Sequence, residues 1–126
     1  MSTLSEPQIL EEASKLFYKY GIQNVSVDDI AHNLRISKRT FYQYYENKKD
    51  LAEKVASVFI KNFEEQINKA RECENAICQL YNFHTSVLKY FASCNLAFYN
   101  DIKKYYPNIK NMFEDFKDDV VKNFLS

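Results

Sequence analysis

The sequence predicts an all-α protein, in which three helices form a head, a long helix connects onward, and a partial antiparallel helical body follows. Three observations predict it. Gly21, Pro7 and Pro107 are the only glycine and prolines in 126 residues, whereas sheets need frequent turns built on such residues. Apolar residues recur at three- and four-residue steps along most of the chain. Apolar residues make up 46% and aromatics 16%, which supplies a packed core and separates the chain from disordered compositions.

Each helix has its own signals. The first begins near Ser5, with Gln8 as a capping-box partner and Pro7 in the first turn. Ile9, Leu10, Ala13, Leu16, Phe17 and Tyr20 form its apolar stripe, and Gly21 stands where a left-handed C-terminal cap is wanted. A short second helix runs from Ser26 to about Leu34, with Asp28 and Asp29 suiting its positive end and Ile30, Ala31 and Leu34 on its buried side. A third starts after Ser37 and ends near Tyr45. The fourth opens at Asn47, with Asp50 three residues on, and continues to about Lys69. Its inner face is Leu51, Val55, Phe59, Phe63 and Ile67. Ile77, Leu80, Tyr81, His84, Val87, Leu88 and Phe91 fit a fifth helix, and Leu96 to Tyr105 fits a sixth, stopped by Pro107. Ile109, Met112, Phe113, Phe116, Val120 and Phe124 fit a seventh.

The formal net charge is zero, so distribution matters more than the sum. Between Arg35 and Lys49 lie five cations (Arg35, Lys38, Arg39, Lys48, Lys49) against one anion, Glu46. From Glu53 onward the charges balance. Cys73, Cys78 and Cys94 contain no C-x-x-C pair and read as free thiols in a reducing cytoplasm. No signal-like or membrane-spanning apolar run occurs, which favours a cytoplasmic protein without membrane contact. Catalysis is disfavoured. The two histidines are far apart, a single glycine cannot build a phosphate or dinucleotide loop, and Asp118 and Asp119 read as solvated. No cofactor or metal site is expected.

Two short helices joined by about three residues and buttressed by a longer one make a helix-turn-helix. At ~100° per residue, Phe41 and Tyr45 turn inward together, while Arg39 and Gln43 fall almost opposite, flanked by Thr40 and Tyr42. That outward face offers donors and acceptors to base edges and phosphates.

The runs Ser26-Val27-Asp28-Asp29-Ile30-Ala31, Ile36-Ser37-Lys38-Arg39-Thr40-Phe41-Tyr42-Gln43-Tyr44-Tyr45 and Asn47-Lys48-Lys49-Asp50-Leu51, with Gly21 after Leu16-Phe17, resemble the DNA-binding signature of the tetracycline-repressor (TetR) family. The resemblance implies that Ser26 caps the second helix against a phosphate. It places Ser37 at the start of the recognition helix, and Lys38, Arg39, Thr40, Gln43 and Tyr44 at positions used for bases or backbone. Tyr44 also fits a packing role. Tyr42 resembles the family's phosphate-binding tyrosine, and Lys48 the backbone-contacting lysine that opens the fourth helix. Arg35 departs from the family, which often has glycine there. If that residue takes positive φ the cost is about 1–2 kcal/mol. Either Asn33 or a different turn relieves this, or Arg35 accepts the strain and adds a phosphate contact.

The resemblance further implies a DNA-binding domain over residues 1–46 and a partial effector-binding and dimerisation domain over 47–126. The implied partners are a palindromic double-stranded operator, a second copy in the intact protein, and a small-molecule effector that releases a repressor. Phe59, Phe63, Tyr81, His84, Phe91, Phe98 and Tyr105 are candidate lining for the effector, although each also fits ordinary core or rim packing. The chain stops soon after Phe124, and the family adds two further C-terminal helices. The alternative is therefore a truncated helical interaction fragment without DNA-binding activity of its own.

Overall fold

The structure, a computed structural model, describes residues 5–124, with side chains described as far as 122. The inward role expected of Phe124 concerns a side chain outside those described. Among the described residues the elements are α1 (Glu6–Tyr20), α2 (Val27–Leu34), α3 (Lys38–Tyr44), α4 (Lys48–Ala70), α5 (Ala76–Ala92), α6 (Leu96–Tyr105) and α7 (Pro107–Phe124). None is a strand, and no helix is long and apolar enough to cross a membrane.

Capping residues set the starts. The Ser5 amide donates to Gln8 Oε1 at 2.9 Å. Ser26 and Asp29 close a full capping box, each side chain accepting the other's amide at 3.0 and 2.9 Å. Asn47 Oδ1 accepts the Asp50 amide at 2.8 Å and Asn75 Oδ1 accepts from Cys78 at 2.8 Å. Such caps satisfy amides that the first turn leaves without partners. Pro107 does more than stop α6, because it also occupies the first position of α7, where its missing N–H costs nothing.

One core runs through the head and into the helices behind it. Ile9, Phe17, Ile30, Leu34, Phe41, Tyr45, Leu51 and Val55 pack with Phe98, Ile102, Tyr106 and Ile109. Phe59, Phe63 and Ile67, further along the same face of α4, form a second cluster against Phe83, Val87, Tyr90, Phe113, Phe116 and Val120. The inner face expected of α4 is thus buried along its whole length.

The expectation for α5 needs correction. Its inward stripe is Phe83, Val87 and Tyr90. Ile77 (83% exposed), Leu80, Tyr81 (70% exposed), Leu88 and Phe91 instead face out, as does His84. Lys89 is the one charged residue in this helix, so two apolar stripes coexist and periodicity alone does not say which is inner. The cysteines also differ from expectation. The turn between α4 and α5 folds Cys73 onto the first turn of α5, and Cys73 and Cys78 form a disulfide with Cα atoms 5.7 Å apart. Cys94 is a free, half-buried thiol.

A latch joins the head to α6. Asp101 Oδ2 accepts the Gln23 amide at 2.9 Å, the Tyr106 hydroxyl donates to Gln23 Oε1 at 3.1 Å, and the Asn95 amide donates to the Tyr18 carbonyl at 2.7 Å. Gly21 makes this approach possible. Its φ of 86° and ψ of 164° fall in a region open essentially to glycine alone. The positive φ was expected, but the chain leaves α1 extended rather than in the left-handed helical state, which carries Gln23 towards Asp101. A Cβ at Gly21 would stand 2.8 Å from Asp101 Oδ2 and 3.0 Å from Ala97 Cβ. Gly21→Ala is expected to lower stability by about 1–3 kcal/mol, measured as an earlier urea midpoint. An unchanged midpoint would count against the close approach.

Candidate nucleic-acid interface

The helix-turn-helix is built by α2, a three-residue turn at 35–37, and α3. Arg35 resolves the question left open by the sequence. It takes the left-handed conformation itself, with φ 58° and ψ 41°. Its amide donates to the His32 carbonyl at 3.1 Å and the Ile36 amide to the Ala31 carbonyl at 3.0 Å. This pair of bonds is the Schellman arrangement, which glycine usually closes. Arg35 accepts the strain because the turn ties up carbonyls that the end of α2 would leave bare, and its side chain remains exposed.

α3 is placed by that turn and by its inner residues. Ser37 caps it, its Oγ accepting the Thr40 amide at 3.0 Å, and the two hydroxyls lie 3.0 Å apart. Phe41 and Tyr45 are buried in the head core. Their rings lie 5.4 Å apart, and Tyr42 packs its edge on Phe41 at 5.3 Å. Lys38, Arg39, Gln43, Tyr42 and Tyr44 are exposed and Thr40 is half-buried, so the outward face has the composition expected. The Ser26 hydroxyl is exposed at the start of α2. Its oxygen accepts the Asp29 amide at 3.0 Å, and backbone and side-chain hydrogen bonds from Ser26 hold the Asp29 carboxyl below its usual range.

Two lysines differ in detail from expectation. Lys38 pairs with Asp28 on the first turn of α2 at 3.4 Å, which offsets part of its charge. Lys48 is turned back on the α1–α2 loop, its ammonium donating to the carbonyls of Ile22 at 3.1 Å and Val25 at 3.2 Å. Burial there pushes its pKa below the ordinary lysine value, opposed by the carboxylates of Asp101 and Asp29. Lys49, the next residue, is exposed and has no ion-pair partner among the described residues. The sequence signal for it was the same as for Lys48, a lysine in the first turn of the fourth helix. No cluster among the described residues could hold a metal ion.

With this geometry in place, the likeness to known proteins is specific. Residues 9–55, from the first buried turn of α1 to the head-core end of α4, match the family model for bacterial regulatory proteins, tetR family. The chain belongs to the TetR family. Its relatives include the HTH-type transcriptional regulators YvaF and YhgD of Bacillus subtilis. YvaF is 31% identical over 104 residues, covering 80% of this chain and 54% of that protein. YhgD is 28% identical over 72 residues, covering 57% of this chain and 38% of that protein. Among solved structures, the TetR family transcriptional regulator PfmR from Thermus thermophilus superposes with a TM-score of 0.71 at 26% identity, over 88% of this chain and 63% of that one. The ketosteroid transcriptional regulator KstR2 of Mycobacterium tuberculosis shares the fold, with a TM-score of 0.67 at 15% identity, over 91% of this chain and 63% of that one. The chain thus spans about two fifths to three fifths of the length of these TetR relatives.

Behind the TetR head, α4, α5, α6 and α7 line an open-mouthed cavity of about 550 Å³. Of the expected aromatic set, Phe59, Phe63 and Phe91 line it. Tyr81, His84 and Tyr105 are exposed elsewhere, and Phe98 is buried at the head junction with its ring 5.2 Å from Tyr18. The lining that the sequence missed includes Phe83, Tyr90, Tyr99, Ile102, Phe113 and Phe116. The cavity wall draws on four helices, and only the packing angle decides which stripe of each faces the others.

The left-handed Arg35 gives a direct test. Arg35→Gly removes its strain at the price of greater freedom in the unfolded chain, so a net gain of about 0.5–1 kcal/mol is expected, seen as a rise of a few degrees in Tm. A lower Tm would mean that the turn is not left-handed in solution.

Proposed function

We propose that the chain is a transcriptional repressor that binds a palindromic operator as a homodimer and is released by a small-molecule effector. The observation that carries this reading is a recognition helix held by two buried rings, with Arg39 and Gln43 facing outward. Residues 1–46 then act as the DNA-binding domain, and residues 47–126 as the effector-binding and pairing domain. Arg39 and Gln43 read base edges, with Lys38, Thr40 and Tyr44 beside them. Tyr42, Ser26, Ser37 and Arg35 hold phosphates. Lys48 fixes the α1–α2 loop and offers its third proton to the backbone, and Lys49 supplies a free cation next to it. Two heads spaced about 34–36 Å apart on one face of the duplex match half-sites one helical turn apart.

The exposed stripe of α5, Ile77, Leu80, Tyr81 and Leu88, supports pairing, since an apolar face of that extent needs cover. The cavity supports the effector. α4 lends one segment to the head core and the next to the cavity wall, and α6 lends one face to each. A ligand that binds better to one disposition of these helices shifts the population of head spacings. The alternative, an interaction fragment without DNA-binding activity, leaves the outward face of α3 unexplained.

Arg39→Ala/Tyr42→Ala is expected to lose binding to operator duplex in a gel-shift titration while staying folded by circular dichroism, since Arg39 is exposed and Tyr42 gives up only its ring contact with Phe41. Binding by the unaltered protein should weaken steeply with salt, as charge neutralisation requires. Equal duplex retention by both proteins would refute the reading.

A further inference from the structure

Resting on the reading of the α4–α7 cavity as an effector site, we propose that its ligand is an apolar anion. Such a molecule has an aromatic or aliphatic body and one carboxylate, sulfonate or phosphate head, and the head is held by Lys103 and Lys117.

The floor of the cavity selects the body. Phe63 stacks on Tyr90 with ring centroids 4.5 Å apart and planes 12° from parallel, and Phe59 meets Phe113 edge-on at 5.7 Å. The Tyr99 hydroxyl is already engaged, donating to the Tyr90 carbonyl at 3.2 Å. A sugar or nucleoside body would leave its own hydroxyls without partners on such a surface, and that is costly. The volume of about 550 Å³ suits a small molecule rather than a folded segment.

The rim selects the head. Its charged residues are Lys103 on α6 and Lys110, Glu114 and Lys117 on α7. Lys110 and Glu114 pair with each other at 3.9 Å. Lys103 and Lys117 have no ion-pair partner among the described residues, and no other carboxylate lines the cavity. A ligand cation would therefore find its one acid already occupied and two free ammonium groups against it. An anion would find both free cations, each on a stem long enough to reach inward. Neutral bodies enter but gain nothing from the rim.

Two fluorescent dyes separate body from head. 8-Anilinonaphthalene-1-sulfonate and N-phenyl-1-naphthylamine share one ring skeleton, and only the first carries a charge. In titrations of the full chain, Lys103→Glu/Lys117→Glu is expected to weaken the sulfonate by roughly tenfold and the neutral dye by less than about twofold. Decanoate should displace the neutral dye at concentrations where decyltrimethylammonium does not. Equal weakening of both dyes, or equal displacement by both amphiphiles, would overturn the anion assignment while leaving the cavity as a ligand site. Phe91→Ser, at an exposed lining position, should weaken both dyes with circular dichroism unchanged. If neither dye responds to it, or if both are shut out as protein concentration rises and a second copy covers the opening, the cavity reading itself fails.

Discussion

A seven-residue helix has no standing of its own in water, because nucleation costs more than one or two turns of backbone bonds return. α3 persists because Phe41 and Tyr45 are sunk among Ile9, Phe17, Ile30, Leu34, Leu51 and Val55. Each such ring contributes about 1.5–3 kcal/mol of burial. The Ser37 cap and the Arg35 turn then fix where the helix begins and how it is rotated. The outward direction of Arg39 and Gln43 is a consequence of which two residues of the same helix are inside. Recognition in this fold is thus a property of the core as much as of the surface. A cavity opened under Phe41 from α1 or α4 would loosen the presented face without altering any residue on it.

That core does not end with the head. α4 carries Leu51 and Val55 into it and Phe59, Phe63 and Ile67 into the second cluster, so one rigid rod belongs to both regions. α6 does the same across its width, with Phe98 towards the head, Tyr99 and Lys103 towards the cavity, and Ile102 in both. The Asp101–Gln23 bond and the bare backbone of Gly21 fasten α6 to the loop that leads into α2. A shift of α6 is therefore felt at the start of the helix-turn-helix through hydrogen bonds with short reach, which do not stretch gradually.

The head was legible in the sequence because each of its helices announces its own start. Ser5, Ser26, Ser37 and Asn47 are cap residues ahead of clear three-and-four patterns, and Gly21 marks a break. Polar residues opposite the apolar stripe fixed which side of α3 was in and which was out. α5 offered no such contrast. With Lys89 as its sole charge, the stripe through Ile77, Tyr81, His84, Leu88 and Phe91 is as apolar as the true inner stripe through Phe83, Val87 and Tyr90. Tertiary packing chose between them. Phe98 and Tyr105 misled for a related reason, since different faces of α6 serve the head and the cavity, and Tyr105 lies on neither. The Cys73–Cys78 pairing depended on the fold of a short turn that propensity does not specify. The conformation of Arg35 was only one of several that the sequence allowed.

Lys48 and Lys49 are the first two residues of α4, at the end of a helix where peptide dipoles already place partial positive charge. Asp50 is the only acid in that first turn, and Lys48 is drawn into the loop by two carbonyls. The free protein therefore holds concentrated like charge at this corner and tolerates it because backbone oxygens surround one ammonium and the carboxylates of Asp101 and Asp29 favour its charged form. An approaching anion would relieve a repulsion that is present before it arrives. The fold keeps that corner electrostatically loaded, and the discharge falls beside the recognition helix.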